Sequence, residues 1–406
     1  MDKLSIAIIS ASVGKTPEYI PSSFVFDEAY RLAIKGINVH IIRNKIEKGS
    51  LSYGIHFHGI ERKINFGTIL LMLRKLPLYS KISFLSTRVY SSNVSKVIES
   101  NGIDLIHAHF AHYEGLVGLL TKRVTGKPLI VTVHGYDILV EPSVGYGVRL
   151  SKRMDSIVRR VLNGADAVIA ASKSAFNEAS KIVNDVDKIY LIPNGVDLQK
   201  FNPGLDGQQI RKKYALDRKY RYIILSLATH EPAYGVEYLI RAIPLITRKV
   251  KDVFFIVGGN GSLRKYHEQL AHELGVIQNV LFTGSIPRDK VSAFYAISDV
   301  IAVPLLQAGF SLVVTESMAS GKPVVASEVG GIPDQIIDKY NGFLVKPRNA
   351  EAIAEKILFL YENPERALEM GRNGRKIAEE KFNIEKRVER IIDLYKKLCE
   401  RTPKSS

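Results

Sequence analysis

Residues 304–333 read PLLQAGFSLVVTESMASGKPVVASEVGGIP. The stretch predicts a loop, then a helix whose first turn starts near Gly309, Phe310 and Ser311. A buried strand follows over 323–326, and a second glycine-rich loop at Gly330 and Gly331. A loop that feeds a helix N-terminus offers backbone N–H groups without intrahelical partners at the positive end of the helix dipole, which suits a phosphate. Glu316 falls about a turn and a half into that helix, within reach of a ligand's hydroxyl groups.

The alternation extends outward in both directions. Towards the N-terminus, apolar runs at 222–228, 253–258, 280–284 and 300–304 alternate with helical spacing over 236–249, 263–274 and 290–298. In the first half, runs at 4–10, 39–43, 104–109, 129–134, 166–171 and 188–192 do the same. Such alternation indicates an α/β chain with parallel sheets and crossover helices. The turn-rich PNGVD at 193–197, with Pro203 and Gly204 behind it, reads as a joint. The expectation is two Rossmann-like, doubly wound domains facing a cleft, one over 1–200 and the other over 205–382. Ligands of such sheets bind beyond the carboxyl ends of the strands, where His109 and His134 fall.

Bulk properties fit this division. A chain of 406 residues suits two domains of about 200. Its 46% hydrophobic and 24% charged content is that of a soluble globular protein. No run approaches the roughly 18 apolar residues of a membrane span. The single cysteine, Cys399, excludes an internal disulfide and fits a reducing compartment. The N-terminus carries an acid and enters a strand directly, unlike a secretory signal. The expected location is therefore the cytoplasm.

The net charge of +16 is spread over both halves and invites a polyanionic partner. It concentrates locally at 62–96, where seven Lys and Arg residues without an acid are interleaved with Phe66, Leu70, Leu73 and Phe84. This segment reads either as a basic amphipathic surface for an anionic membrane, with peripheral attachment at the inner face, or as a core-packing helix with a solvated basic edge. No basic repeat, aromatic platform or zinc pattern supports nucleic-acid binding.

Several segments, in this order and spacing, resemble the large retaining glycosyltransferase family of GT-B architecture, the family 4-like or group 1 enzymes. They are IDLIHAHFA (103–111), VTVHGYD (131–137), AVIAAS (167–172), IPNGVD (192–197), GVEYLIRAI (235–243), VGGNGSLR (257–264), FTGSIP (282–287) and the opening stretch. The resemblance covers essentially the whole chain. It implies a nucleotide-sugar donor in the C-terminal lobe, a glycan or lipid-linked acceptor in the N-terminal lobe, and no metal or other cofactor. It also implies that residues 383–400 cross back to complete the N-terminal lobe. His134 matches the histidine at the donor sugar and reaction centre, and Glu316 the carboxylate that binds the ribose. Gly258 and Gly259 permit close backbone approach, and Gly284 lies beside the nucleobase. Phe310, Ser311 and Leu312 stand where the helix start meets the phosphates. His109 and Asp137 fall on the acceptor side, Asp137 as a loop-fixing residue.

The departures concern the donor. The arginine and lysine that clamp the diphosphate in the family are Thr229 and Tyr234 in SLATHEPAYGVEYL (226–239). The serine after Pro304 is Leu305, the first of two glutamates is Ala308, and TPEYIPSS (16–23) replaces an N-terminal Gly-Gly loop. Two readings of different class follow: a retaining, metal-independent hexosyltransferase, or a catalytically impaired GT-B scaffold that binds a partner. Asp185, Val186 and Asp187 imitate a metal motif but read as a solvated turn. His107, His109 and His112 lack the accompanying ligands of a metal site.

Overall fold

The computed structural model describes residues 3–10, 13, 23–44, 50–60, 79–216 and 220–401. Residues 62–78 of the basic segment, and 16–22 of the loop replacing Gly-Gly, lie outside the described residues.

The N-terminal lobe is built on eight strands: β1 (Ser5–Ile9), β2 (Asn38–Arg43), β3 (Ser50–Ser52), β4 (Ile55–Gly59), β5 (Leu105–His109), β6 (Leu129–Val133), β7 (Ala167–Ala170) and β8 (Ile189–Leu191). They are ordered β3-β4-β2-β1-β5-β6-β7-β8, and only the β3–β4 pair is antiparallel. Runs such as SIAII and LIVTV are buried along their whole length because helices cover both faces, so they carry no polar alternation. From Thr87 onward, the helix Tyr79–Ser100 buries Tyr90, Val94 and Ile98 in this core and leaves Arg88 and Lys96 exposed. That is the pattern of a packed helix with a solvated basic edge.

The C-terminal lobe has β9 (Tyr222–Leu227), β10 (Val253–Gly258), β11 (Val280–Gly284), β12 (Val300–Val303), β13 (Val324–Ser327) and β14 (Gly342–Val345). All pair in parallel, in the order β11-β10-β9-β12-β13-β14. The strand order reverses between β1 and β5 in one sheet and between β9 and β12 in the other. Crevices open beyond the strand ends at such switch points.

The lobes are joined twice at one place. Ile192 belongs to the N-terminal core, whereas Val196 and Phe201 belong to the C-terminal core. On the return, Phe382 is in the C-terminal core and Ile384 in the N-terminal one. The two crossings are bonded to each other, Val196 N–H to Phe382 O at 2.7 Å and Ile384 N–H to Val196 O at 3.2 Å. A Cβ on Gly195 would lie 2.4 Å from Ile384 Cα, so only glycine lets the two chains run this close. The crossing thus falls within the PNGVD stretch at 193–197, while the second lobe's core begins by Val196, ahead of the 205 start expected for that domain. The helix Ile384–Arg401 then lays Ile384, Val388, Ile391, Tyr395 and Leu398 on the N-terminal core at helical spacing.

Candidate active site in the interlobe cleft

On the N-terminal side, β6 delivers His134 into a loop closed by Asp137. That carboxylate is fully buried and accepts the N–H groups of Ala111 at 2.8 Å, His134 at 2.9 Å and Gly135 at 3.0 Å. It ties the β5 and β6 loops together. Burial raises its pKa against the opposing pull of those N–H bonds. The His134 ring lies between Phe24 and Phe110, each centroid 4.7 Å away. Phe110 reaches it from a left-handed backbone (φ +77°), an uncommon conformation for a bulky residue. His134 Nε2 is 3.0 Å from Nδ1 of His109, and the two rings stack. Burial, with help from His109 and Arg387, holds the His134 pKa well below the usual histidine value, so the ring is neutral at pH 7.

His109 is completely buried behind His134, and Asp137 is equally enclosed. Neither presents its side chain to an acceptor. Both act as support for the His134 loop, which corrects the acceptor-side placement of His109. Glu28, His107 and His109 bring ligand-type atoms within 4.8 Å of one another. However, Arg387 occupies one oxygen of Glu28, and both nitrogens of His107 are engaged, by Tyr395 and Thr132 at 2.7 Å each. The chemistry of this set is that of a hydrogen-bonded charge network.

On the C-terminal side, a cleft of about 390 Å³ collects the donor-site candidates. Gly258 and Gly259 end β10 and form one wall, with Thr229 and Tyr234 after β9. Leu312, Val313 and Glu316 from the helix Leu312–Ala319 form another, and Ser23 of the N-terminal lobe closes it. A Cβ on Gly259 would stand 1.8 Å from the Ala228 carbonyl oxygen, so this turn demands glycine. Gly284, at φ +72°, sits beside the cleft and accepts the Gly259 N–H at 2.8 Å. Ser311 caps the helix, accepting the Val314 N–H at 3.3 Å, and its own backbone is held by Gln335. Phe310 turns away to pack edge-on against Phe382, while Leu305 and Ala308 are buried in the lobe core. A second opening of about 430 Å³, bordered by Ser143, Glu231 and Arg348, contains neither Glu316 nor the Gly258-Gly259 wall.

Positions 229 and 234 carry no cation, but the same cleft holds one from another position. Arg288 lines the same cleft and is bonded to Glu316, with Asp27 of the opposite lobe 3.5 Å away. Tyr295 donates to the other Glu316 oxygen at 3.0 Å. The two carboxylates raise the Arg288 pKa, while burial raises that of Asp27. Arg288 Nε is buried without a hydrogen-bond partner. In sequence this arginine directly follows the FTGSIP motif, and nothing in its spacing marks it. His230 and Glu231, the other polar groups near the departed positions, brace the glycine loop. His230 pairs with His267 at 2.9 Å, and Glu231 holds Ser262 N–H at 2.7 Å.

The two walls touch through glycine. A Cβ on Gly309 would lie 2.1 Å from the His134 carbonyl oxygen, and one on Gly135 would lie 2.5 Å from Gly309 Cα. The phosphate-type loop of one lobe and the histidine loop of the other therefore meet backbone on backbone.

The arrangement of two such lobes around this cleft is that of the GT-B glycosyltransferases. Residues 22–200 match the family described as Glycosyltransferase Family 4, and residues 206–377 match Glycosyl transferases group 1. The chain belongs to this family of glycosyltransferases. It is 30% identical over 331 residues to an uncharacterised glycosyltransferase of Methanocaldococcus jannaschii, covering 81% of this chain and 86% of that one. It is 28% identical over 312 residues to the GDP-mannose-dependent α-(1-6)-phosphatidylinositol monomannoside mannosyltransferase of Mycolicibacterium smegmatis, covering 75% and 79%. Its fold matches the sucrose-phosphate synthase of Thermosynechococcus elongatus with a TM-score of 0.82 at 23% identity, over 98% of this chain and all of that one.

Proposed function

We propose that the chain transfers a hexose from a nucleotide-diphosphate donor held by the C-terminal lobe to a glycan or lipid-linked acceptor on the N-terminal lobe, with retention and without a metal. The observation that carries this reading is the convergence of Arg288, Glu316 and the start of the helix Leu312–Ala319 on one cleft that Ser23 closes from the other lobe, with the His134 backbone against Gly309 just before that helix. Transfer breaks the bond from the anomeric carbon to the diphosphate oxygen and builds negative charge on the leaving group. Arg288 and the free N–H groups of the helix start are aimed at that charge. Retention follows when the acceptor oxygen attacks from the face the diphosphate leaves, with the acceptor proton passing to a phosphate oxygen. No protein nucleophile is needed. Glu316, fixed by Arg288 and Tyr295, keeps lone pairs for ribose hydroxyls. A mannosyl or other hexosyl donor agrees with the named relative, and a lipid-linked acceptor agrees with the basic charge of the N-terminal lobe and peripheral contact at an anionic membrane.

Thermal-shift titration with UDP, GDP, ADP and their sugars tests the donor half. At about 100 times the dissociation constant, one nucleotide should add about 2.7 kcal/mol of stability. A second reading, a scaffold that no longer transfers, is favoured by Thr229, Tyr234 and Ala308 in place of the family's charged residues. It requires that no sugar nucleotide give turnover, and detectable transfer from any donor removes it.

The glycine contact makes a separate demand. Gly309→Ala should push the His134 loop away from the donor loop. A displacement near 1 Å at a reacting centre costs about 10²-fold in rate. Steady-state kinetics should show that loss in kcat with nucleotide affinity preserved, and an unchanged kcat would mean the lobes do not close through this contact.

A further inference from the structure

Behind His134 runs a chain of groups that ends outside the cleft. Glu28, on the helix Ser23–Ile34, is 2% exposed. Its Oε2 accepts Arg387 Nε at 2.9 Å and pairs with Nη2 at 2.8 Å. Arg387 belongs to the C-terminal helix and also donates to the carbonyls of Ile192 at 2.6 Å and Pro193 at 2.8 Å, which fixes the carboxylate's position. Oε1 faces Nε2 of His109 at 3.5 Å, and neither atom has another hydrogen-bond partner. His107, the other ring near Glu28, is satisfied on both nitrogens by Tyr395 and Thr132. His109 then reaches His134 through the 3.0 Å contact between Nδ1 and Nε2.

With both rings neutral, these contacts permit only one proton arrangement that leaves each contact attractive. A carboxylate attracts an N–H and repels a bare ring nitrogen, so His109 carries its proton on Nε2. Its Nδ1 is then an acceptor, and the contact with His134 requires His134 Nε2 to be the donor. A neutral imidazole holds one ring proton, so His134 Nδ1 is left as a lone pair. We propose that Glu28 is a positioning residue that sets the tautomer of His134 through His109, and so makes the Nδ1 edge of His134 a hydrogen-bond acceptor. The ligand chemistry it suits is a hydroxyl that donates, as the hydroxyls of a sugar do. Arg387 makes the C-terminal helix part of this relay, so a segment far along the chain governs the proton state at the reaction centre.

The proposal rests on the reading of His134 as the reaction-centre residue, and its test has a readout that does not depend on turnover. In the full chain labelled with 15N-histidine, long-range proton–nitrogen NMR should show His134 as the Nε2–H tautomer, its signals assigned by their loss in His134→Ala. Glu28→Gln offers His109 an N–H instead, reversing each donor and acceptor, and should move His134 to Nδ1–H. The same variant should lower kcat about 10- to 100-fold, the range typical of lost supporting groups, with donor KM little changed. In Glu28→Gln, Arg387 keeps the amide oxygen on its own side and so turns the N–H toward His109. Because the variant strands the buried Arg387 charge, the double variant E28Q/R387M, whose amide can turn either way, is measured beside it as a stability control. A reversed tautomer in Glu28→Gln supports the relay. A wild-type His134 that is not Nε2–H, or a tautomer that stays Nε2–H in Glu28→Gln, overturns it, whatever happens to activity. A reversed tautomer with wild-type kcat would keep the relay but sink the reaction-centre reading of His134.

Discussion

Arg288→Met should abolish the nucleotide-induced thermal shift and lower kcat/KM by about 10²–10³, the usual cost of removing one preorganised charge-stabilising group. Among the described residues that line the donor cleft, Arg288 is the one with a permanent positive charge. Its side chain is 13% exposed, so a diphosphate bound beside it would feel its charge with little screening from water. The variant also leaves Glu316 and Asp27 without their cation, and breaking a buried pair of this kind costs about 3–5 kcal/mol. Arg288→Lys separates the two effects. It keeps the charge and much of the stability but loses the planar fork, so donor affinity should be intermediate. Wild-type nucleotide binding and turnover in Arg288→Met would show that the arginine only bridges the lobes through Asp27.

His134→Ala is expected to do the opposite to the two halves of the reaction. Donor affinity should remain near wild type, because the cleft wall of Gly258, Gly259, Arg288 and Glu316 is intact. Turnover should fall below detection. The ring sits between Phe24 and Phe110, and its removal also opens a cavity, which large-to-small changes in packed surroundings translate into about 3–5 kcal/mol for an aromatic ring. His134→Phe refills that space without the ring nitrogens. It should restore stability without restoring activity. Full turnover in either variant would remove His134 from the reaction centre.

These two residues show what the sequence makes visible. His134 ends an apolar run and opens a glycine loop, but it is the resemblance to the family, not that local pattern, that singles it out as a reaction-centre candidate. The parallel sheets are legible directly, because their buried strands read as continuous apolar runs, whereas Glu316 and the glycine wall are picked out by the resemblance. Arg288 has no local pattern. It reaches the cleft only because β11 ends where it does, and Asp27 meets it from a separate lobe. Glu28 and Arg387 are 359 positions apart and are joined only by the return of the last helix. The β3–β4 pair escaped notice because SLS and IHFHG mix polar with apolar residues and form no continuous apolar run. The joint at 193–197 is legible, but the expected start of the second domain falls too late. Turn-forming residues extend through Pro203 and Gly204, yet Phe201 is already packed in the second core.

The paired crossings at Val196 and Phe382 give the molecule a modular layout. The donor lobe enters and leaves at adjacent points, so by topology it is an insert within a discontinuous N-terminal lobe formed by the chain before Gly195 and the helix after Asn383. An insert whose ends meet can be exchanged at two neighbouring junctions without threading new chain through the host. An exchanged lobe must still re-form the contacts that cross the cleft, among them Arg288 with Asp27 and Gly309 against Gly135.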